Sequence, residues 1–279
     1  MSLSISIIAI ILGIVEGLTE FLPVSSTGHL IVFDRILGFK ELLQSADKAE
    51  LFEVVIQLGA ILAIGVLYRK RLMSSLSALL RFRTEGASGR LGINLIVAFL
   101  PAAIFGYLFH PLISKYLFSS LVVGITLVIG GIIIIAIEKR TEEDRRAITL
   151  DTMTWRDALV VGLAQVLSLI PGTSRSAATI MGGMLRGIKR PAATEFSFIL
   201  AFPVMVAASG FEIVKYHHLL TRDMLGMIGI GFITSFVIAL AVVAWFVRYI
   251  QRHEFTGFGI YRIVFGVLVL VLYAVGYLA

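Results

Sequence analysis

The chain has 279 residues, 58% of them apolar and 15% charged, where soluble domains run near 45–50% and about 25%, so a soluble domain and a disordered chain are both excluded. Six prolines without a Gly-X-Y period exclude collagen, and zero cysteines exclude a disulfide framework, a thiolate metal site and a cysteine nucleophile. The net charge of +6 reads as the basic loops of a membrane protein; no helix-turn-helix or RNA-binding signature points to nucleic acid.

Met1-Ser-Leu-Ser-Ile carries no positive n-region, so the first apolar run is expected to stay in the mature protein. That run, 3–37, is broken at Pro23-Val-Ser-Ser-Thr-Gly-His29. Three runs follow at 51–68, 91–109 and 117–137, each near the ~20 residues a spanning helix needs. His110, before Pro111, reads as a helix end. After a charged loop at 138–157, the segment 158–188 is broken at Pro171-Gly-Thr-Ser-Arg-Ser176, and spans follow at 193–214, 224–247 and 258–278. Half-helices as short as those beside the breaks cannot each cross a bilayer. Re-entrant hairpins, with their irregular tips enclosed by protein, are the expected shape.

The two broken segments match each other. Gly13-Ile-Val-Glu16 precedes the first break and Gly162-Leu-Ala-Gln165 the second. Aligned on their prolines, Ser25-Ser26 falls opposite Thr173-Ser174, and an acid follows each break on the next span, Glu53 and Glu195. Three spans separate the hairpins, so they enter from opposite faces. The expected fold is all-α integral membrane, with about six transmembrane helices plus two re-entrant helical hairpins in an inverted-topology repeat, an arrangement that points to a midplane site. Residues 1–279 form a single polytopic domain with halves of approximately 1–137 and 155–279. Sixteen Lys and Arg fall on the face holding 69–71, 81–90, 139–156, 186–190 and 248–252, and six on the other. The positive-inside rule makes the first face cytoplasmic and turns both termini and the first hairpin's mouth outward.

Glu16, Glu20, His29, Glu53, Arg175, Glu195 and Arg262 are the ionisable residues within apolar segments, and each is costly there. Glu16 and Glu20, four apart, share a helical face. Two carboxylates in a low dielectric repel unless a cation or a proton intervenes, and Mg²⁺ or Ca²⁺ suits such oxygen ligands. Ser25, Ser26 and Thr27 stand at the start of one half-helix and Thr173, Ser174 and Ser176 at the other. Free backbone N–H groups there favour an anion, although a serine at such a position can also do no more than cap a kink. Arg175 adds a fork suited to two phosphate oxygens. Together these residues describe a site for a phosphate-rich ligand and a metal. Glu53 and Glu195 read either as catalytic or as hydrogen-bonded supports for the hairpin tips.

Glu16-Gly-Leu-Thr-Glu20-Phe-Leu-Pro-Val-Ser-Ser-Thr-Gly-His29 and Pro171-Gly-Thr-Ser-Arg-Ser176 closely resemble the undecaprenyl-pyrophosphate phosphatase family linked to bacitracin resistance. Phe52-Glu-Val-Val-Ile-Gln-Leu-Gly59 and Thr194-Glu-Phe-Ser-Phe198 extend the likeness over nearly the whole chain. The resemblance implies removal of the terminal phosphate from a C55 polyprenyl pyrophosphate lipid, dependence on a divalent cation, and residence in the bacterial cytoplasmic (inner) membrane. It assigns Glu16 and Glu20 to the acidic pair, Ser26 and His29 to nucleophile and partner, and Arg175 to the phosphate clamp. Ser26 either attacks directly or orients a water that does. The rival is a transporter or flippase for a phosphorylated polyprenyl lipid, since broken helices in inverted repeats are transporter architecture. An acid phosphatase of the PSGH and SR type lacks its later His–Asp pair here. The oligomeric state stays open.

Overall fold

A computed structural model describes residues 4–140 and 147–278, without the side chains of His110, Ser114 and Asp223. Arg145 and Arg146, counted above on the basic face, lie outside the described residues. Twelve α-helices carry the described chain. Among the described residues there is no strand, only an isolated bridge between Ile148 and Ile188. Six helices are long and apolar enough to cross a membrane: Ala46–Leu67 (α4), Gly86–Phe109 of α6, Ser120–Arg140 (α7), Arg190–Leu219 (α10 with one following 3-10 turn), Met224–Tyr249 of α11 and Thr256–Ala274 (α12). They match the six expected runs, so the chain is an all-helical, multi-pass membrane protein.

The two broken segments are pairs of short helices: Ile5–Thr19 (α1) with Ser26–Leu37 (α2), and Trp155–Val166 (α8) with Arg175–Leu185 (α9). Helix α8 starts from a full capping box in which Thr154 and Asp157 each satisfy the other's backbone N–H. Three features depart from expectation. Helix α6 runs through His110 and Pro111 to Tyr116 instead of ending there; proline inside a membrane helix is tolerated where neighbours re-satisfy the backbone. A short helix, Phe39–Leu43 (α3), links α2 to α4. Another, Arg69–Leu80 (α5), follows α4 and leaves Met73, Leu76 and Leu80 exposed. It is too short and too basic at its start to register as a span, yet its apolar residues recur on one face.

Apolar helices gain little from meeting one another in a lipid solvent, so close backbone approach through small residues decides which of them pack. A Cβ on Gly13 of α1 would stand 2.6 Å from the Gly231 carbonyl oxygen of α11, and one on Gly17 would stand 2.7 Å from that of Ser235. The Gly13-x-x-x-Gly17 pair therefore seats α1 on α11 within the chain. Gly162 of α8 meets the Ala98 carbonyl of α6 in the same way, at 2.6 Å. Gly131 and Gly259 close the α7–α12 seam, with a Cβ on Gly131 2.5 Å from the Gly259 oxygen. Phe21, just past α1, lies edge-on to Phe198 of α10 with centroids 5.2 Å apart, and Phe198 in turn packs on Phe246 of α11.

Overpacking such a seam costs about 1–3 kcal/mol. Gly13→Val and Gly131→Val are expected to lower the midpoint of thermal unfolding in detergent and the yield of monodisperse protein. Gly226→Ala, whose Cβ would meet nothing within 4 Å, should match the parent chain; equal loss in all three would refute the seam.

Candidate active site

Each break is built by a proline and capped by a serine. Helix α1 ends at Thr19, whose hydroxyl donates back to the Val15 carbonyl at 2.7 Å, and Pro23 then bars continuation. Ser25 takes φ 71°, and its hydroxyl oxygen accepts the Gly28 N–H as the N-cap of α2. In the second segment Pro171 and Gly172 (φ 86°) make the turn, and Ser174, also at φ 71°, accepts the Ala177 N–H as the N-cap of α9. A left-handed non-glycine residue costs about 1–3 kcal/mol and persists only where its surroundings dictate it. The two caps also correct the pairing made on the prolines. Ser25 lies nine residues after Glu16, and Ser174 nine after Gln165. Ser26 therefore stands opposite Arg175, one position from the Ser174 that the prolines suggest, because Pro171 precedes its cap by one residue more than Pro23 does.

Three chemical groups from both segments converge. Ser26 Oγ donates to Glu20 Oε2 at 2.7 Å, across the first break. Arg175 Nη2, from the second, reaches Glu20 Oε1 at 3.4 Å. Its Nη1 donates to the Ser197 carbonyl of α10 at 2.9 Å, while its buried Nε has no partner among the described residues. Glu20 and Ser26 are buried, as is the neighbouring Phe21, whose ring lies under the guanidinium at 6.0 Å. Glu20 thus orients a hydroxyl on one side and an arginine on the other.

Glu16 is fully buried, and neither carboxylate oxygen has a hydrogen-bond partner among the described residues; its charged neighbours are Glu20 and Glu53. His29 does not meet Ser26. Its Nδ1 is 2.7 Å from the Ser25 carbonyl and its Nε2 2.6 Å from the Tyr261 hydroxyl, and its ring stacks on Phe265. With Nδ1–H donating to the carbonyl, Nε2 is the acceptor for the Tyr261 proton. Ser174 and Ser176 hydroxyls lie 3.0 Å apart, and Ser176 also donates to the Leu22 carbonyl of the first break. Thr27 is half-buried in the first turn of α2, and Thr173 donates its N–H to the Ile170 carbonyl. Glu53 faces Lys40 and Asp34, which themselves form an ion pair at 3.3 Å. Glu195 is not brought to the centre: it pairs with Arg71 of α5 at 3.4 Å, with both side chains partly exposed.

Three residues the sequence reading did not single out, Ser197, Tyr261 and Thr126, and one it flagged only as an intramembrane charge, Arg262, hold this arrangement. Ser197 binds Arg175 through its carbonyl and Thr179 through its hydroxyl, at 2.7 Å; it lies two residues past Glu195 in the motif read from sequence. Tyr261 anchors His29, with no signal in the sequence beyond its neighbour, the intramembrane Arg262. Arg262 and Thr126 bind the carbonyls of the breaks.

A multi-pass helical fold with a buried hydroxyl–carboxylate–guanidinium set at two helix N-termini is the arrangement expected of a membrane protein that binds an anionic group. The family model described as bacitracin resistance protein BacA matches residues 9–268, and the chain belongs to that family. It is 52% identical over 262 residues to an undecaprenyl-diphosphatase of Nitrosomonas europaea, covering 94% of this chain and 92% of the relative. It is 47% identical over 270 residues to undecaprenyl-diphosphatase 2 of Rhodospirillum rubrum, covering 97% and 96%. An undecaprenyl-diphosphatase of Neisseria gonorrhoeae is 43% identical over 272 residues, with 97% and 96% covered.

The contacts separate the carboxylates. Glu20→Gln is expected to lower the rate of phosphate release by on the order of 100-fold or more, the loss typical of removing a catalytic base. Glu195→Gln, which breaks only a partly exposed ion pair worth about 0.2–1 kcal/mol, should stay within about twofold; comparable losses in both variants would contradict the assignment.

Proposed function

We propose that the chain is an integral-membrane undecaprenyl-diphosphatase, which hydrolyses the C55 polyprenyl pyrophosphate to the monophosphate and so recycles the lipid carrier for cell-wall synthesis. By lowering the pyrophosphate, this activity confers bacitracin resistance. The observation that carries the reading is the Ser26–Glu20 hydrogen bond of 2.7 Å with Arg175 on the same carboxylate. A flippase needs an anion clamp but has no use for a hydroxyl poised against a base.

In this reading Arg175 and the N-termini of α2 and α9 hold the terminal phosphate and stabilise its charge in transfer. The Nε of Arg175, which has no partner among the described residues, is a donor available to a phosphate oxygen. Glu20 takes the proton of Ser26 Oγ as that oxygen attacks the terminal phosphorus, and the bond to the lipid monophosphate breaks. Having passed that proton to the departing lipid monophosphate, Glu20 takes one from the water that then attacks the phosphoserine and returns it to Ser26 Oγ as that bond to phosphorus breaks and phosphate leaves. His29, held by Ser25 and Tyr261, fixes the turn of α2 instead of shuttling the proton.

A divalent cation fits Glu16, whose two buried oxygens have no hydrogen-bond partner among the described residues, whereas Glu20, the other expected ligand, is engaged by Ser26 and Arg175. Among the described residues no group of three or more His, Cys, Asp or Glu side chains gathers to hold a metal, so further ligands would come from phosphate oxygens and water, as is usual for Mg²⁺. When bound, such an ion supplies charge neutralisation and Lewis acidity at the diphosphate. The inverted repeat is supported by the matched caps at Ser25 and Ser174 and by the matched seams of Gly13 on α11 and Gly162 on α6. That repeat makes 1–279 one domain of two halves, with re-entrant hairpins meeting at their tips. The basic bias supports an inner-membrane orientation with the first hairpin open to the outside.

Purified protein in detergent, where no gradient exists, is expected to release phosphate from undecaprenyl pyrophosphate. Excess chelator should abolish the activity, and Mg²⁺ or Ca²⁺ should restore it. Release of phosphate with retention at a chiral phosphorus is expected for the two displacements through Ser26; inversion would exclude the phosphoserine. In intact cells Asp47→Cys is expected to react with an impermeant thiol reagent and Arg83→Cys to be protected, in a background free of native cysteine; the reverse pattern would overturn the orientation.

A further inference from the structure

Arg262 is the largest fully buried side chain among the described residues, in the first half of α12. A charge at such depth is expensive and needs partners. Its partners are three backbone carbonyls from three elements, not a carboxylate. Nη1 donates to Pro23 at 3.2 Å, and Nη2 to Gly172 at 2.9 Å and to Thr126 of α7 at 3.3 Å. Pro23 lies in the first break and Gly172 in the second. One guanidinium therefore bridges the two interrupted segments, one of which carries Ser26 and Glu20 and the other Arg175. The surroundings are cut to fit it. A Cβ on Gly130 of α7 would lie 2.3 Å from Nη2, so the space is kept bare for the guanidinium. Thr126 Oγ1 donates to the Pro171 carbonyl at 2.7 Å, beside the same turn. The preceding residue, Tyr261, holds His29 at 2.6 Å, and His29 holds the Ser25 carbonyl. Two neighbouring residues of α12 thus grip the first break at two points and the second at one.

We propose that Arg262 is a positioning residue that locks the tips of the two interrupted segments in register, so that Ser26 from one and Arg175 from the other act on the same phosphoryl group. It rests on the phosphatase reading above and adds a component that touches neither substrate nor nucleophile. A planar fork with five donors can hold carbonyls on two segments at once; a lysine ammonium is a compact point donor on a flexible stem. Loosening the lock would leave each tip able to bind phosphate but would separate nucleophile from clamp, and an ångström of misplacement is costly for in-line transfer.

The test is a double-mutant cycle on kcat/KM for undecaprenyl pyrophosphate, normalised to monodisperse folded protein. Arg175→Lys alone is expected to cost on the order of 100-fold. In an Arg262→Met background the same change is expected to cost less than about 10-fold, because a clamp already out of register has less to lose, and such non-additivity is the mark of residues acting as one unit. Gly130→Ala keeps the arginine but displaces its guanidinium, and carries the same cycle where Arg262→Met does not fold. Arg262→Lys should recover only part of the coupling. If Arg262 serves folding alone, the losses multiply and Arg175→Lys keeps its full effect in every background; that result overturns the proposal. A small loss from Arg175→Lys in the otherwise unaltered chain would remove the clamp itself, and with it both this inference and that part of the phosphatase reading.

Discussion

A helix that stops within the hydrocarbon layer leaves carbonyls and amides with no water to bind, at several kcal/mol for each unsatisfied group. Here two helix breaks meet among buried side chains, and the remainder of the architecture supplies what they lack. Leu22, Pro23, Pro171 and Gly172 turn four carbonyls out of regular helix. Ser176 takes the first, Arg262 the second and fourth, and Thr126 the third. The hydroxyls of Ser25 and Ser174 take one amide from each following helix. Helices α7 and α12 can bring Thr126 and Arg262 to the breaks because glycines let their backbones approach closely.

The same accounting makes chemistry available. Once the carbonyls are engaged, the remaining N-terminal amides of α2 and α9 are left for an anion. Phe21 is wedged against Phe198 immediately after Glu20, which fixes where that carboxylate stands. Glu20 then reaches Ser26 on the far side of the turn and Arg175 on the other segment. A carboxylate held between a hydroxyl and a guanidinium would need little reorganisation to act as the proposed base, as expected of a preorganised site.

The parts of this arrangement that depend on residue type are plain in the sequence: apolar runs of spanning length, prolines followed by serines, and charges where lipid would forbid them. Parts that depend on two distant segments meeting are not. Ser26 and His29, three apart, look like a dyad on one helical turn. Yet His29 is drawn to Tyr261, more than two hundred residues away, and Ser26 to a carboxylate across a break that no helical period describes. Glu195 has the look of a site residue because its motif is one, but the residue of that motif which touches Arg175 is Ser197. Helix α5, whose Arg71 captures Glu195, carries too much charge to stand out in a hydropathy reading. Arg262 is conspicuous as an intramembrane charge, but what it binds is backbone, which leaves no trace in side-chain patterns.

The matched strain at Ser25 and Ser174 gives the two segments one backbone and two vocations. Directly after the first cap stands Ser26, and directly after the second stands Arg175. Nine residues before the caps stand Glu16 and Gln165, one able to bear charge and the other not. At the place that Glu20 fills in the first segment, the second has Leu169. Two segments matched in their breaks and caps therefore carry side chains with no such match. In the proposed mechanism one half attacks and the other restrains, so neither is a spare copy of the other. On that reading the division of labour gives a direction, and a headgroup between the tips meets a nucleophile on one side only.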